Sequence, residues 1–298
     1  QYSDFRDEIL DIVVVDSPTL NAFAAPGGVV GVNLGLFLQA NDVHEFSSVI
    51  AHELAHLSQR HFARRVEERR SGSLTTMASM IAGLLIGAAG GTDAALATIS
   101  LAQAASQGNQ LRYSREREIE ADRIGLATMV NAGLDPNGAS RMFERMQRAY
   151  RFTRRPPEFL LTHPLSETRI ADAKNQARSY PTKGPQKSIA FQMMKVKVES
   201  LYETNPIVSL QKYKKLVEKN SSNIAARYGL SLALVKNSSF EEAVNEFEAL
   251  RPRLPNTILM LAAYAEVLAS AGQHQKAEKI VEKRLAISPD NQPLSMIH

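Results

Sequence analysis

Two histidines and a glutamate lie within residues 51–57, which read AHELAHL. On a helix, residues four apart share one face and lie about 6 Å apart, so His52 and His56 can both reach one zinc ion. Glu53 then lies about 100° around the helix, where it can accept a proton from an activated water without binding the metal. An exposed polar helix is the alternative, but the surrounding VIAHELAHL is apolar. The spacing therefore predicts the zinc site of a metallopeptidase.

Zinc needs a further protein ligand, and the chain has no cysteine, so this ligand must be His, Asp or Glu. The metzincin continuation HExxHxxGxxH fails, because Gln59 and Phe62 stand where Gly and His are required. His61 comes five residues after His56. We expect it to point away from the site and to be a surface or packing histidine.

The best downstream candidate is the stretch SREREIEADRIG, residues 114–125. Glu118 and Asp122 are one helical turn apart, so one carboxylate can bind zinc while the other orients a zinc histidine. Glu116 and Glu120 compete for these roles. An exposed helix laced with Glu and Arg pairs explains the spacing equally well, so the residues alone leave the choice open.

The elements that must position these residues begin with extended segments. DIVVV is one, and GGVVGVNLGLF follows a turn at 26–28. A long helix comes next, with Asn41 or Asp42 as its N-cap and Glu45 completing a capping box. Its apolar face carries Phe46, Val49, Ile50, Leu54 and Leu57. The pattern predicts a mainly α fold with a small β-sheet.

Residues 71–111 carry a single charge, and Gly83, Gly87 and Gly91 recur at four-residue spacing. Such spacing lets helices approach closely, as they do in membranes. The apolar part, 74–89, is short for a span and contains threonine and serine. Two interpretations of residues 74–91 therefore stay open: a buried helical hairpin, or a segment that makes peripheral contact with a membrane. Membrane contact is the functional expectation.

The second half of the chain has an internal period of 34 residues. The stretch YPTKGPQKS predicts a linker at 181–188 before it. The period joins Ser209, Ala243 and Ala277, then Tyr213, Phe247 and Val281, and finally Pro255 and Pro289. This pattern resembles the tetratricopeptide repeat, a helical hairpin that buries its face only against a neighbour. Residues 189–298 are therefore predicted to form an α-solenoid that binds other proteins.

Four motifs, HELAH, EIEAD, NAFAAPGG and THPLSETR, together resemble the HtpX and CAAX prenyl protease family of gluzincin metallopeptidases over roughly residues 9–178. The family pattern of HExxH followed by ExxxD implies that Glu118 is the third ligand of one Zn²⁺ and Asp122 its supporting partner. The resemblance implies a zincin-like metallopeptidase domain over 1–180. That domain usually begins with helices, so we expect these helices to be missing from a chain that reaches DIVVV almost at once.

The resemblance also gives roles to the stretch LLTHPLSETRIADA. In this family the histidine of HPxxxxR faces the active site. His163 is thus implied either to stabilise the oxyanion or to bind zinc as a fourth ligand, which would leave the enzyme latent. Arg169 is implied as an oxyanion or active-site charge partner. Without the resemblance, a lone histidine before proline would be interpreted as a loop residue.

Peptidases of this kind bind the substrate backbone by pairing it with an exposed edge strand. The candidate strand consists of Val29, Val30, Gly31, Val32 and Asn33. An ordinary strand of a small sheet is a compatible alternative. Binding of this type would make little demand on the side chains of an unfolded substrate.

A net charge of +4 over 298 residues is too weak to indicate nucleic acid, and no nucleic-acid module is present. A run of arginines could face anionic lipid, but we favour a solvated helix face. The run contains Arg141, Arg145, Arg148, Arg151, Arg154 and Arg155.

Together with the repeats, the resemblance points to periplasmic family members with a tetratricopeptide tail. It implies a zinc endopeptidase acting on unfolded, misfolded or stalled outer-membrane proteins, with repeats that bind the outer-membrane assembly machinery or the substrate. The alternatives are a chaperone or assembly platform with a largely closed protease site, and a quality-control peptidase at the inner membrane. No signal peptide opens the chain, so the residues alone leave open a cytosolic protein and a processed or truncated secreted one. The resemblance implies a periplasmic protein, peripheral to the outer membrane at most.

Overall fold

The computed structural model describes residues 11–25, 27–64, 66–67, 114–154, 156–181 and 188–288. These residues form mainly helices and one three-stranded sheet, which confirms the predicted fold class at that level. The chain divides into two compact units, residues 1–186 and 187–298. The segment 74–91 and residues 182–187 of the expected linker lie outside the described residues.

The sheet of the first unit contains β1 (Asp11–Val15), β2 (Ala22–Ala25) and β3 (Val29–Asn33). Their order is β1-β3-β2, with β1 parallel and β2 antiparallel to β3. The hairpin between β2 and β3 passes through Gly27 and Gly28, whose φ angles of 87° and 79° favour glycine. The predicted turn at 26–28 is therefore confirmed at Gly27 and Gly28, while Pro26 lies outside the described residues.

The prediction that Val29–Asn33 is an exposed edge strand is wrong. This strand is β3, which pairs with β1 on one side and β2 on the other, and four of its five residues are buried. A central strand has no free backbone groups for a substrate. Within the described residues, β2 is the edge strand that contacts the HExxH helix. Its sequence, AFAA, was not predicted as a strand.

The helices of the first unit that the structure describes include α1 (Gly35–Gln39), α2 (Val43–Ser58), α3 (114–131), α4 (Asn137–Tyr150), α5 (Glu158–Thr162) and α6 (Glu167–Ala177), and residues 61–64 and 66–67 after α2 are also helical. Asp42 caps α2 by accepting from the backbone N–H groups of His44 and Glu45. The Glu45 carboxylate accepts in return from the backbone N–H of Asn41, at 2.8 Å. The predicted cap of the HExxH helix is confirmed, although Glu45 reaches one residue further back than in a standard capping box.

Helix α2 is held on two sides by its neighbours. A methyl group added to Gly125 of α3 would lie 3.1 Å from backbone atoms of Ala51 and His52, so this glycine sets how closely α3 approaches the metal helix. On α4, Arg141 donates to Asp42 and Asp135, and Arg145 binds both oxygens of Glu45. These two arginines are neither lipid-facing nor simply solvated, because they anchor α4 to the start of α2.

The second unit consists of α7 (Ile189–Tyr202), α8 (Pro206–Lys219), α9 (Ile224–Lys236), α10 (Phe240–Leu250), a 3₁₀ turn (Arg251–Arg253), α11 (Ile258–Ser270) and α12 (His274–Leu285). Helices α8, α10 and α12 begin 34 residues apart, as do α9 and α11. The small residues at 209, 243 and 277 are all buried fourth residues of their helices. The sequence period is therefore a period of buried contacts.

Candidate metal centre

Four buried side chains of the first unit converge on one point. Their ligand atoms all lie within 4.8 Å of one another, and they belong to His52, His56, Glu118 and His163. The two histidines of HExxH come from α2, Glu118 from α3, and His163 from the residue that ends α5. The structure therefore brings together the residues that the sequence analysis named as metal ligands.

The spacing of these atoms fits tetrahedral zinc. A zinc ion with Zn–N and Zn–O bonds of about 2.0–2.1 Å separates its ligand atoms by about 3.3 Å. His52 Nε2 lies 3.0 Å from His56 Nε2, 3.3 Å from His163 Nδ1 and 3.4 Å from Glu118 Oε2. The Glu118 carboxylate lies 3.1 Å from His163 Nδ1 and 3.5 Å from His56 Nε2.

The charges of the cluster also suit a cation. Burial disfavours a charged His52, but the carboxylates of Asp122 and Glu118 outweigh it and raise the pKa of His52 to about 10. Burial and the neighbouring His52 lower the pKa of His56. Burial opposes ionisation of Glu118, but contacts with His163 and His52 prevail and lower its pKa. The cluster thus holds an ionised carboxylate among imidazoles, a donor set that zinc prefers.

Asp122 supports His52 from outside the cluster. Its Oδ1 lies 2.9 Å from His52 Nδ1, although the two atoms are not aligned for a full hydrogen bond. Arg169 in turn donates to both oxygens of Asp122, at 2.7 and 2.8 Å. Metal-binding histidines are commonly oriented by such a carboxylate. The ExxxD pair therefore contributes Glu118 to the cluster, while Asp122 supports His52, one of the cluster's histidines.

Arg169 is buried and its donors are engaged by protein acceptors. Besides Asp122, Nη1 donates to the backbone oxygen of Pro164 at 2.8 Å and lies 3.1 Å from Glu118 Oε2. These contacts favour the charge-partner role over the oxyanion role for this residue. They also fix the chain directly after His163.

Glu53 lies beside the cluster with an unpaired oxygen. It is buried, Oε1 has no hydrogen-bond partner among the residues that the structure describes, and His163 Nε2 is 3.5 Å away from it. Burial raises the pKa of Glu53, and the nearby His163 and His52 reduce that rise. A carboxylate with a raised pKa is suited to exchanging protons near neutral pH.

The expectation that His61 points away from the site is wrong. His61 is buried, its Nδ1 lies 2.8 Å from His56 Nδ1, and its Nε2 lies 3.1 Å from Glu120 Oε2. The cause is local, since α2 ends at Ser58 and Arg60 has a φ of 53°, which turns the chain back toward α2. No sequence signal for this reversal was available, because arginine seldom adopts that conformation.

A cavity of about 360 Å³ opens beside the cluster. Its lining includes Phe23, Ala24, Glu53, His56, Phe62 and His163. Edge strand β2 thus forms one wall of the space in front of Glu53. The sequence analysis assigned this wall to Val29–Asn33, and the only signal for β2 was the short motif NAFAAPGG.

Residues 2–177 match the model of peptidase family M48. The beta-barrel assembly-enhancing protease of Escherichia coli is 29% identical over 273 residues, 90% of this chain and 55% of that protein. A Vibrio cholerae protein that shares this protease name is 45% identical over 162 residues, 54% of this chain and 33% of its own. The mitochondrial metalloendopeptidase OMA1 of Schizosaccharomyces pombe is 34% identical over 168 residues, 56% of this chain and 47% of its own.

The chain thus spans between a third and a little over half the length of these curated relatives. Among the helices that the structure describes, none is long and apolar enough to cross a bilayer.

Proposed function

The chain belongs to peptidase family M48, and we propose that it is a zinc-dependent endopeptidase. The predicted family resemblance, and with it the expected class of metallopeptidase, is thereby confirmed. The observation that carries the proposal is the tetrahedral spacing of four buried donor atoms beside the buried Glu53, whose Oε1 has no hydrogen-bond partner in the described part of the chain. His52, His56 and Glu118 would hold the ion.

When bound, zinc supplies a Lewis acid that polarises a carbonyl group and acidifies water. Glu53 accepts a proton from the water that attacks the peptide carbonyl carbon. It then delivers that proton to the leaving amine nitrogen, so the carboxylate is regenerated as the C–N bond breaks. Asp122, held by Arg169, keeps His52 in its binding orientation.

Substrate binding is proposed at the outer edge of β2. The backbone oxygen of Asn21 accepts from Asn33 of β3, so by strand alternation Ala22 and Ala24 turn their backbone groups away from β3. Ala22 is fully buried, so Ala24, which is partly exposed, is the position proposed to meet a peptide. An extended peptide that pairs there would cross in front of Glu53. Main-chain hydrogen bonds give affinity with little sequence demand, which suits unfolded proteins as substrates.

His163 supports a latent resting state. Its Nδ1 lies within the donor cluster and its Nε2 faces Glu53, so it would fill the fourth zinc position and contact the general base at once. Its segment is tied down by Phe159, which packs on its ring, and by a 2.9 Å hydrogen bond from Asn21 beside β2 to Glu158. Helix α5 must shift before water and substrate can enter.

The decisive experiment is hydrolysis of an unfolded protein such as casein, at equal zinc content, by wild type and two variants. Glu53→Gln should retain zinc and lose at least about a hundredfold in rate, because a carboxamide cannot take the proton. Retained cleavage in this variant would exclude the mechanism. His163→Ala should raise the rate, whereas a fall would identify His163 as a catalytic helper.

The second unit is proposed to be a tetratricopeptide-type solenoid, spanning 189–298, that recruits partners. The 34-residue recurrence of its helices and of their buried residues supports this assignment. Relatives that align with 90% of this chain are named for beta-barrel assembly. On that basis we propose the periplasm as location, misassembled outer-membrane proteins as substrates and the outer-membrane assembly machinery as partner.

The second candidate function is a chaperone or assembly platform whose protease site stays mostly closed. The observation that favours it is the position of His163 within the donor cluster. Under this alternative, Glu53→Gln would leave the assembly of outer-membrane proteins intact in cells. Under the endopeptidase proposal, the same variant would let misassembled proteins accumulate.

A further inference from the structure

His61 connects the cluster to the surface through both of its ring nitrogens. It is 2% exposed, with Nδ1 2.8 Å from His56 Nδ1 and Nε2 3.1 Å from Glu120 Oε2. Arg64 donates to the same Glu120 oxygen at 3.1 Å. The chain His56–His61–Glu120 is therefore continuous, with every link at hydrogen-bonding distance.

The direction of each hydrogen bond follows from the position of His56. His56 turns Nε2 toward the cluster, so as a neutral metal ligand it carries its proton on Nδ1. That N–H can donate only to an unprotonated Nδ1 of His61. A neutral His61 then carries its proton on Nε2 and donates it to Glu120. All donors and acceptors are satisfied without placing a charge on either ring.

We propose that His61 is a positioning residue, which fixes the ring orientation and tautomer of His56 for metal binding and is itself held by Glu120. This role rests on the proposed zinc site. It extends to His56 the support that Asp122 gives His52, with one imidazole inserted between the carboxylate and the ligand. Two acids of α3, at positions 120 and 122, would then serve the two histidines of α2.

The test measures zinc affinity of the full chain by competition with a chelator at pH 7.5, together with the thermal stability of the metal-free protein. His61→Ala should bind zinc about ten- to a hundredfold more weakly. His61→Gln should stay within about threefold of wild type, because its amide oxygen can accept from His56 and its amide nitrogen can donate to Glu120. This rescue separates positioning from simple packing.

The matched control is His44→Gln, at a second buried histidine, which lies on α2 and accepts from the backbone N–H of Asp135. It should lower the stability of the metal-free protein and leave zinc affinity unchanged. The visible spectrum of the cobalt-substituted protein should change in His61→Ala and not in His44→Gln, since it reports ligand geometry.

Zinc affinity of His61→Ala within twofold of wild type would overturn the positioning role and leave the metal site intact. If that variant does not fold, Glu120→Ala removes only the partly exposed outer carboxylate, and an unchanged zinc affinity there would overturn the role as well. Failure of the wild type itself to bind zinc would overturn the proposed function, and this role with it.

Discussion

Replacing Arg169 with methionine removes the cation that joins both carboxylates of the ExxxD pair. The guanidinium donates twice to Asp122, at 2.7 and 2.8 Å, and lies 3.1 Å from Glu118. Two charges about 4 Å apart attract by about 4 kcal/mol at an effective dielectric of about 20. The substitution also removes the free-energy cost of burying the Arg169 charge, which offsets part of this loss. The net loss of unfolding free energy expected for the first unit is therefore about 3–5 kcal/mol.

The assay is native-state hydrogen exchange of the metal-free protein, because a bound cation would partly replace the lost charge. The free energies of local opening measured for α3 and α6 should fall by about 3–5 kcal/mol. Those of α9 and α11 in the second unit should not change and serve as an internal reference. Arg148→Met is the matched control. Arg148 forms an exposed ion pair with Glu144 on α4, and its loss should cost less than about 1 kcal/mol.

The effect should also depend on pH. Burial opposes ionisation of Asp122, but Arg169 and His52 outweigh it and lower its pKa. Stability from this carboxylate is then present above the pKa of about 3.9 in the unfolded chain, and it is lost as the pH falls through the lower folded value. Arg169→Met should therefore be most harmful at neutral pH, with a smaller difference below about pH 4. A loss under about 1 kcal/mol at pH 7 would refute the charge-partner reasoning.

Three further outcomes are expected. Glu158→Ala should raise casein hydrolysis severalfold, because loss of a hydrogen bond worth about 1 kcal/mol frees the His163 segment, whereas Glu158→Gln keeps an acceptor for Asn21 and should match wild type. Gly229→Ala should destabilise the second unit by about 1–3 kcal/mol in urea unfolding, since the added methyl would overlap the Tyr213 ring, and equal stability would contradict this packing. Removal of zinc by chelation should speed proteolytic cleavage of the first unit and leave the second unit unaffected, a selectivity that general destabilisation by the chelator would not produce.

Features that depend on neighbouring residues were predictable from the sequence. Asp42 caps α2 because its side chain reaches backbone N–H groups two and three residues ahead. His52 and His56 share a helix face for the same local reason. The 34-residue period recurs as buried positions because each hairpin repeats the same contacts with the next. The pairing of Glu118 with Asp122, by contrast, was chosen only through the family resemblance.

Other predictions failed where a distant contact or a rare backbone conformation intervened. Val29–Asn33 has the composition of a strand wherever it lies in a sheet, and only its pairing with β1 and β2 made it central. The sequence favoured a solvated face for Arg141 and Arg145, but these arginines bind the carboxylates of Asp42 and Glu45 around the start of α2. His61 contacts His56 from outside the cluster, after the left-handed conformation of Arg60.

The sequence by itself determined the metal-binding chemistry, the helix that carries it and the repeating second unit, because these follow from residue types and short-range periodicity. Only the tertiary structure decided which strand faces the cluster, what Arg169 contacts and that His61 lies against His56. Strand order and the approach of α3 to α2 are set by contacts between residues far apart in the chain, such as Gly125 with Ala51. Such contacts depend on how whole elements pack, and spacing along the sequence does not encode them.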